Sequence, residues 1–267
     1  MDHNSSVGER RVQVALQVIL ASLVAFMLLT APTVSAEIRV FGGAAPQNAL
    51  RDLTPEFANA TGHQVEFTFR IVSEIQQKLA AGEKADVILL PAPLLAATSK
   101  IVPLRSEGRI ELARVGAGVI VRQGTALPDI STVEAVRKLL LNARSIAWPD
   151  PSTPIGSHLN RMIEQLGIAD ELRPKLIVKA AIHGGAELVA NGEADFGLYL
   201  VSEVQPITGI TLVGLLPPAL QYFVVYGVAV PTSNASPEAA LAFIKFISDP
   251  AKGQRWKAAG FELAGAP

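Results

Sequence analysis

The segment Glu37 to Phe57, EIRVFGGAAPQNALRDLTPEF, carries the clearest chemical signal in the chain. Ile38 to Phe41 is an apolar run of strand length, and Gly42 to Ala45 leaves the backbone free to turn. Pro46 suits the first position of a helix on which Leu50, Leu53 and Phe57 share a face. Such a loop points unpaired backbone N–H groups and the positive end of a helix at one spot, which holds an anion. Proline has no N–H, so Ala45, Gln47 and Asn48 are the expected donors. Arg70 follows Val65 to Phe69 and closes a predicted strand, where a guanidinium grips a carboxylate through two parallel hydrogen bonds. His158 and His183 stand beside Ser157 and Gly184 near predicted helix starts, and either can donate to an anion. The bland alternatives are an ordinary turn, a solvated arginine and helix-end histidines. The histidines form no metal motif with His63, which precedes a strand, so no metal or cofactor is expected. Asp150, Ser157 and His158 supply the residue types of a hydrolase triad. A serine beside its own base in sequence presents the wrong geometry, and no Gly-x-Ser-x-Gly elbow occurs. Binding without turnover is the expectation, with a secreted hydrolase as the rival.

The elements that would position these residues begin after an export signal. Arg10 and Arg11 precede an apolar run from Val12 to Leu29, and Val34-Ser35-Ala36 offers small residues for a cut after Ala36. An uncleaved N-terminal anchor is the competing reading. The 267-residue chain keeps enough length beyond that cut for two small lobes with real cores. It has no cysteine, hence no disulfide, thiolate metal site or cysteine-linked lipid. A net charge of −1 gives no reason to expect nucleic acid or an anionic membrane surface as partner. A periplasmic protein fits these features.

Strand-like and helix-like segments alternate along the rest. Val65 to Phe69, a helix over Ser73 to Ala81 and the buried run Asp86 to Leu90 are followed by Ser145 to Trp148, a helix over Ser157 to Leu166, and Phe196 to Leu200. This pattern predicts parallel sheets covered by helices. Ser131 and Glu134 have capping-box spacing ahead of the apolar stripe Val133, Val136 and Leu140. Ala81-Gly-Glu-Lys-Ala-Asp-Val87 and Asn191-Gly-Glu-Ala-Asp-Phe196 resemble one another. Each predicts a helix end, a glycine cap and a strand opened by an aspartate that ties it in place, so two lobes of similar construction are expected.

The chain resembles the bacterial extracytoplasmic solute-binding proteins of type II architecture, most closely the periplasmic molybdate-binding group. The resemblance rests on Val40-Phe-Gly-Gly-Ala-Ala45, the Ala81-Gly82 to Ala85-Asp86-Val87 turn, the loop Asp150 to Gly156, and the run Ala239 to Phe261. It implies an α/β fold of two lobes joined by two crossover strands, near Val115 to Val121 and Tyr222 to Val230, with the ligand cleft between them. Residues 1–36 would then be the signal peptide, 37–117 plus 229–267 the first lobe and 118–228 the second. Gln221 and Tyr222 would line the hinge, and Trp256 would pack in the core. The resemblance also implies a monomer that hands a small anionic ligand to an inner-membrane ABC permease with a cytoplasmic ATPase. A periplasmic sensor subunit is the alternative.

The site departs from that family. Ala45 stands where a serine is expected, Val72 with its neighbour Ser73 where a second serine is, and Leu200 with Tyr199 one residue early where a tyrosine is. Ile155 and Ile182 keep the positions that offer backbone N–H groups. A cleft poor in hydroxyls and rich in aliphatic groups favours an organic carboxylate, whose carbon atoms gain from burial, over molybdate.

Overall fold

The structure, a computed structural model, describes residues 35–264 except 44, 71, 182, 183, 235 and 236. The expected signal peptide, but for its last two residues, lies outside the described residues, as do Ile182 and His183. Among the described residues no helix is long and apolar enough to cross a membrane.

In the first half, β1 (Glu37–Gly43) leads to α1 (Gln47–Thr61), β2 (Gln64–Arg70) to α2 (Val72–Ala80), and β3 (Val87–Pro91) to α3 (Ala92–Thr98). β1 pairs in parallel with β2 and β3, and its register sets Gly43 opposite Arg70. The glycine loop and the arginine therefore leave the same end of the sheet, the carboxyl end at which open α/β sheets bind ligands. β4 (Ile110–Arg122) then runs antiparallel to β9 (Phe223–Ala229) as far as Gly116, and from Ala117 onward it pairs with β7 (Phe196–Leu200). One strand thus belongs to both halves.

The second half adds α4 (Val133–Asn142), β5 (Ile146–Trp148), α5 (Pro154–Gln165), α6 (Ala169–Leu172), β6 (Leu176–Val178), α7 (Gly185–Ala190), β7, α8 (Val201–Val204) and β8 (Ile210–Leu215). β5 lies between β6 and β7, parallel to both. Residues 216–222 carry the chain back to β9, which pairs with β3 and β4. The chain closes with α9 (Pro237–Ile247), α10 (Gly253–Ala258) and β10 (Glu262–Leu263). The strand order is β2-β1-β3-β9-β4-β7-β5-β6, with β8 and β10 also on β4. This is the two-lobed α/β architecture expected from the sequence.

The core follows from the helical stripes. Leu50, Leu53 and Phe57 of α1 are fully buried, and the Phe57 ring meets that of Phe243 on α9 edge to face at 5.1 Å. Burying a side chain of that size stabilises by about 1.5–3 kcal/mol. Trp256 packs as expected, fully buried with its indole N–H donated to the Ile247 carbonyl at 2.9 Å.

Both copies of the Gly-Glu…Asp unit behave alike. Gly82 and Gly192 take left-handed φ values of 89° and 77°. The Asp86 carboxylate accepts from the Arg39 N–H at 2.9 Å, and that of Asp195 from the Arg144 N–H at 2.7 Å. The arginine side chains add an ion pair to each of these carboxylates. The hydrogen bond from the Arg144 side chain holds the Asp195 carboxyl below its ordinary range.

Three local expectations are corrected. α1 begins at Gln47, with Pro46 one residue earlier at the capping position. The cap of α4 is Thr132, whose hydroxyl accepts from the Ala135 N–H at 3.1 Å. Ser131 is unavailable because its hydroxyl and N–H are both drawn to Asp129. α5 starts at Pro154 instead of Ser157, because Thr153 caps the Gly156 N–H at 3.1 Å.

Candidate functional site

The loop after β1 presents an uncapped helix. Pro46 at the capping position has no side-chain acceptor, so the first-turn N–H groups of α1 are left to solvent or a ligand. The Ala45 methyl packs against the main core, Gln47 is half-buried and Asn48 is exposed. Asn48 also lines a groove of about 380 Å³ with Asp52, Gln205 and Arg255. A Cβ added at Gly43 would lie 3.6 Å from the Tyr226 ring of β9, so the loop passes close to the strand that follows the return crossover.

Arg70 sits beside this loop through the β1–β2 register. Its side chain is 57% exposed, donates to the Phe69 carbonyl at 2.8 Å, and lies 3.7 Å from Glu74. An ion pair this long and wet contributes little, so the guanidinium is free to exchange partners. Ser73, next in the chain after Val72 in the first turn of α2, is exposed.

On the second lobe, α5 is wound tightly onto the loop before it, since a Cβ at Gly156 would fall 2.0 Å from the Asp150 carbonyl oxygen. The Thr153 hydroxyl satisfies the Gly156 N–H, while that of Ile155, a buried residue, points out of the first turn with no side-chain cap. His158, one turn along, hydrogen-bonds through Nε2 to the Leu220 carbonyl at 3.0 Å and stacks on Tyr222 at 4.8 Å between ring centroids. Between those two crossover residues, the Gln221 amide is fully used. Its oxygen accepts from the Ala117 and Tyr222 N–H groups at 2.9 and 2.8 Å, and its nitrogen donates to the Ala117 and Leu216 carbonyls at 3.1 and 3.2 Å. One side chain thus ties the return passage to β4 at the point where β4 changes sheets.

The residue types of a triad are not assembled as one. Ser157 accepts from Arg161 at 2.7 Å, His158 is committed to Leu220, and Asp150 accepts from the Ser152 N–H at 2.8 Å. Among the described residues no three His, Asp or Glu side chains converge as metal ligands.

Tyr199 is fully buried, on the face of β7 that packs with Ala186 and Val189 of α7, and its hydroxyl donates to the Lys179 carbonyl at 2.8 Å. Burial pushes its phenol well above the ordinary range. Geometry makes it a core residue, because its neighbour Leu200 is the one that points to the opposite face. The structure thus groups Ala45, Gln47, Asn48 and Arg70 at one end of the first-lobe sheet, and Ile155, Ser157, His158 and Tyr222 around the start of α5. No hydrogen bond or ion pair joins the two groups among the described residues.

Glu203 was not singled out from the sequence. It lies on the short α8 that leaves the carboxyl end of β7, half-buried, and burial pushes its carboxyl up to about 7. The same burial, with the Glu203 charge added, raises the phenol of Tyr226. Its place at a strand end was the available signal. The neighbouring turn is close-packed: Gly260, at φ 84°, would bring a Cβ within 2.8 Å of the Ser202 backbone nitrogen, and the buried Ser202 hydroxyl has no partner among the described residues.

Residues 38–262 match the family described as bacterial extracellular solute-binding protein. The chain belongs to that family. It is 28% identical over 237 residues to the aconitate isomerase of a Pseudomonas species, covering 85% of this chain and 89% of the relative. It is 25% identical over 235 residues to the molybdate-binding protein ModA of Escherichia coli K12, with the same coverage. Among solved structures, the Azotobacter vinelandii periplasmic molybdate-binding protein superposes with a TM-score of 0.65 at 19% identity, covering 85% of this chain and 99% of that one. The protein is therefore a solute-binding protein of the ABC-transporter type, on the type II fold.

Proposed function

We propose that the protein binds a small organic carboxylate in the cleft between its lobes and delivers it, as a periplasmic monomer, to an ABC permease and its cytoplasmic ATPase. The lobes divide at about residues 117–118 and, on the return, within 216–222 instead of at the expected 228–229, because β9 pairs with the first-lobe strand β3 and the first part of β4. The mature chain begins after Ala36. The carrying observation is the fate of the hydroxyls. Ala45 offers a methyl group packed on the core, and Tyr199 spends its hydroxyl on Lys179. What remains is the uncapped start of α1, the Ile155 N–H in the first turn of α5, the exposed Arg70, and the His158–Tyr222 stack. That set matches a carboxylate on a carbon skeleton: dipoles and a guanidinium for the charge, rings and methyl groups for the carbons. The relative named for aconitate supports an organic acid, and the ModA relatives supply the rival ligand.

A thermal-shift screen over molybdate, tungstate, sulfate and mono-, di- and tricarboxylates tests this, since a tight ligand raises the melting temperature by mass action. Stabilisation by di- or tricarboxylates is expected. Stabilisation by molybdate or tungstate alone overturns the reading.

A second reading rests on the aconitate isomerase relative alone. Under it, the bound acid is isomerised in the cleft. Incubation with cis- and trans-aconitate, followed by chromatography, separates the two: stoichiometric retention of unchanged acid supports binding, and catalytic interconversion supports the enzyme.

A further inference from the structure

We propose that His158 takes up a proton when a polycarboxylate enters the cleft and donates the resulting Nδ1–H to a ligand carboxylate. The proposal rests on the carboxylate reading above. A carbonyl oxygen only accepts, so the 3.0 Å bond to Leu220 fixes the hydrogen of the neutral ring on Nε2. The Tyr222 stack, with planes 21° apart, holds the ring's orientation. Both partners sit on the return crossover, and Gln221 between them is clamped to Ala117. The ring cannot turn its nitrogens over without breaking these contacts.

Nδ1 is then the free nitrogen, with no protein partner among the described residues. As a lone pair it repels an anion; protonated, it becomes a charged donor, which roughly doubles the strength of the hydrogen bond. Tyr222 is the titratable group stacked against the ring from the crossover, and Gln221 beside it is neutral. On its own helix Arg161 is held by the Ser157 hydroxyl at 2.7 Å. No carboxylate among the described residues bonds either ring nitrogen, so the negative charge that favours protonation arrives with the ligand. The proton comes from solvent and bonds to Nδ1, and no ligand bond breaks.

The test uses the mature chain with trans-aconitate and citrate as probes. Calorimetric titrations at pH 7.5 in buffers of differing ionisation enthalpy count protons taken up per ligand bound, and nitrogen-15 NMR reads the imidazole tautomer in the free protein. The expected result is the Nε2–H tautomer at His158, net proton uptake on binding, and loss of that uptake in His158→Gln. An Nδ1–H tautomer, binding without uptake, or unchanged uptake in the variant overturns the proposal alone. Failure of both acids to bind overturns this proposal, and the carboxylate reading falls with it if no mono-, di- or tricarboxylate stabilises the chain in the thermal screen. If His158→Gln does not fold, the wild-type tautomer and proton count decide.

Discussion

Replacing Glu203 with glutamine should flatten the pH dependence of stability, and the size of the effect follows from its burial. The carboxyl titrates near 4.5 in the unfolded chain and at about 7 in the folded one, because desolvation disfavours the charged form. Between those values the folded protein keeps a proton that the unfolded chain has released. Its folded pKa is raised, so stability falls as pH rises through this window and levels off above about 7. At about 1.4 kcal/mol per tenfold difference in proton affinity, the ceiling is about 3 kcal/mol. Glu203 is half-buried, so solvent screening brings the expectation to about 1–2 kcal/mol. Glutamine keeps the shape and removes the charge. Urea unfolding at pH 4.5, 6, 7 and 8, followed through the buried Trp148 and Trp256, measures the difference. Glu203→Gln should match the wild type at pH 4.5 and exceed it by that amount at pH 8. Parallel curves for the two proteins across the range would refute the reasoning.

Gln221→Ala removes four hydrogen bonds, but the Ala117 N–H keeps the Tyr222 carbonyl and its C=O keeps the Leu216 N–H. The Tyr222 N–H and Leu216 C=O lose this partner, so a loss of about 1–3 kcal/mol in denaturant unfolding is expected. A change below about 0.5 kcal/mol would mean that water replaces the clamp. Tyr199→Phe should lower stability by about 1–2 kcal/mol, by stranding the Lys179 carbonyl, while leaving ligand affinity unchanged. A large affinity loss with no stability change would return Tyr199 to the cleft. Arg70→Ala should weaken ligand binding by about 10–100-fold, the worth of a charge-assisted hydrogen bond of about 1.5–3 kcal/mol. Equal affinities by calorimetry would remove Arg70 from the site.

Sequence alone determined the parts of this protein that depend on near neighbours. The strand Phe196–Leu200 has the bounds read from its apolar run, the two Gly-Glu…Asp units formed alike, and α1 buried the face carrying Leu50, Leu53 and Phe57. These are matters of period, capping and φ preference, which a few adjacent residues decide. Even there, competition within four residues moved the α4 cap from Ser131 to Thr132, because Asp129 was the better partner for the serine. Only tertiary structure decided the site. A strand's side chains alternate, so whether Tyr199 or Leu200 faces a given side turns on a one-residue register. The bonds that define the hinge and orient His158 span 104 and 62 positions of chain, Gln221 to Ala117 and His158 to Leu220. No local pattern encodes such pairings. Packing the two halves on a shared strand creates them, and the same packing strips water from Glu203 and raises its pKa.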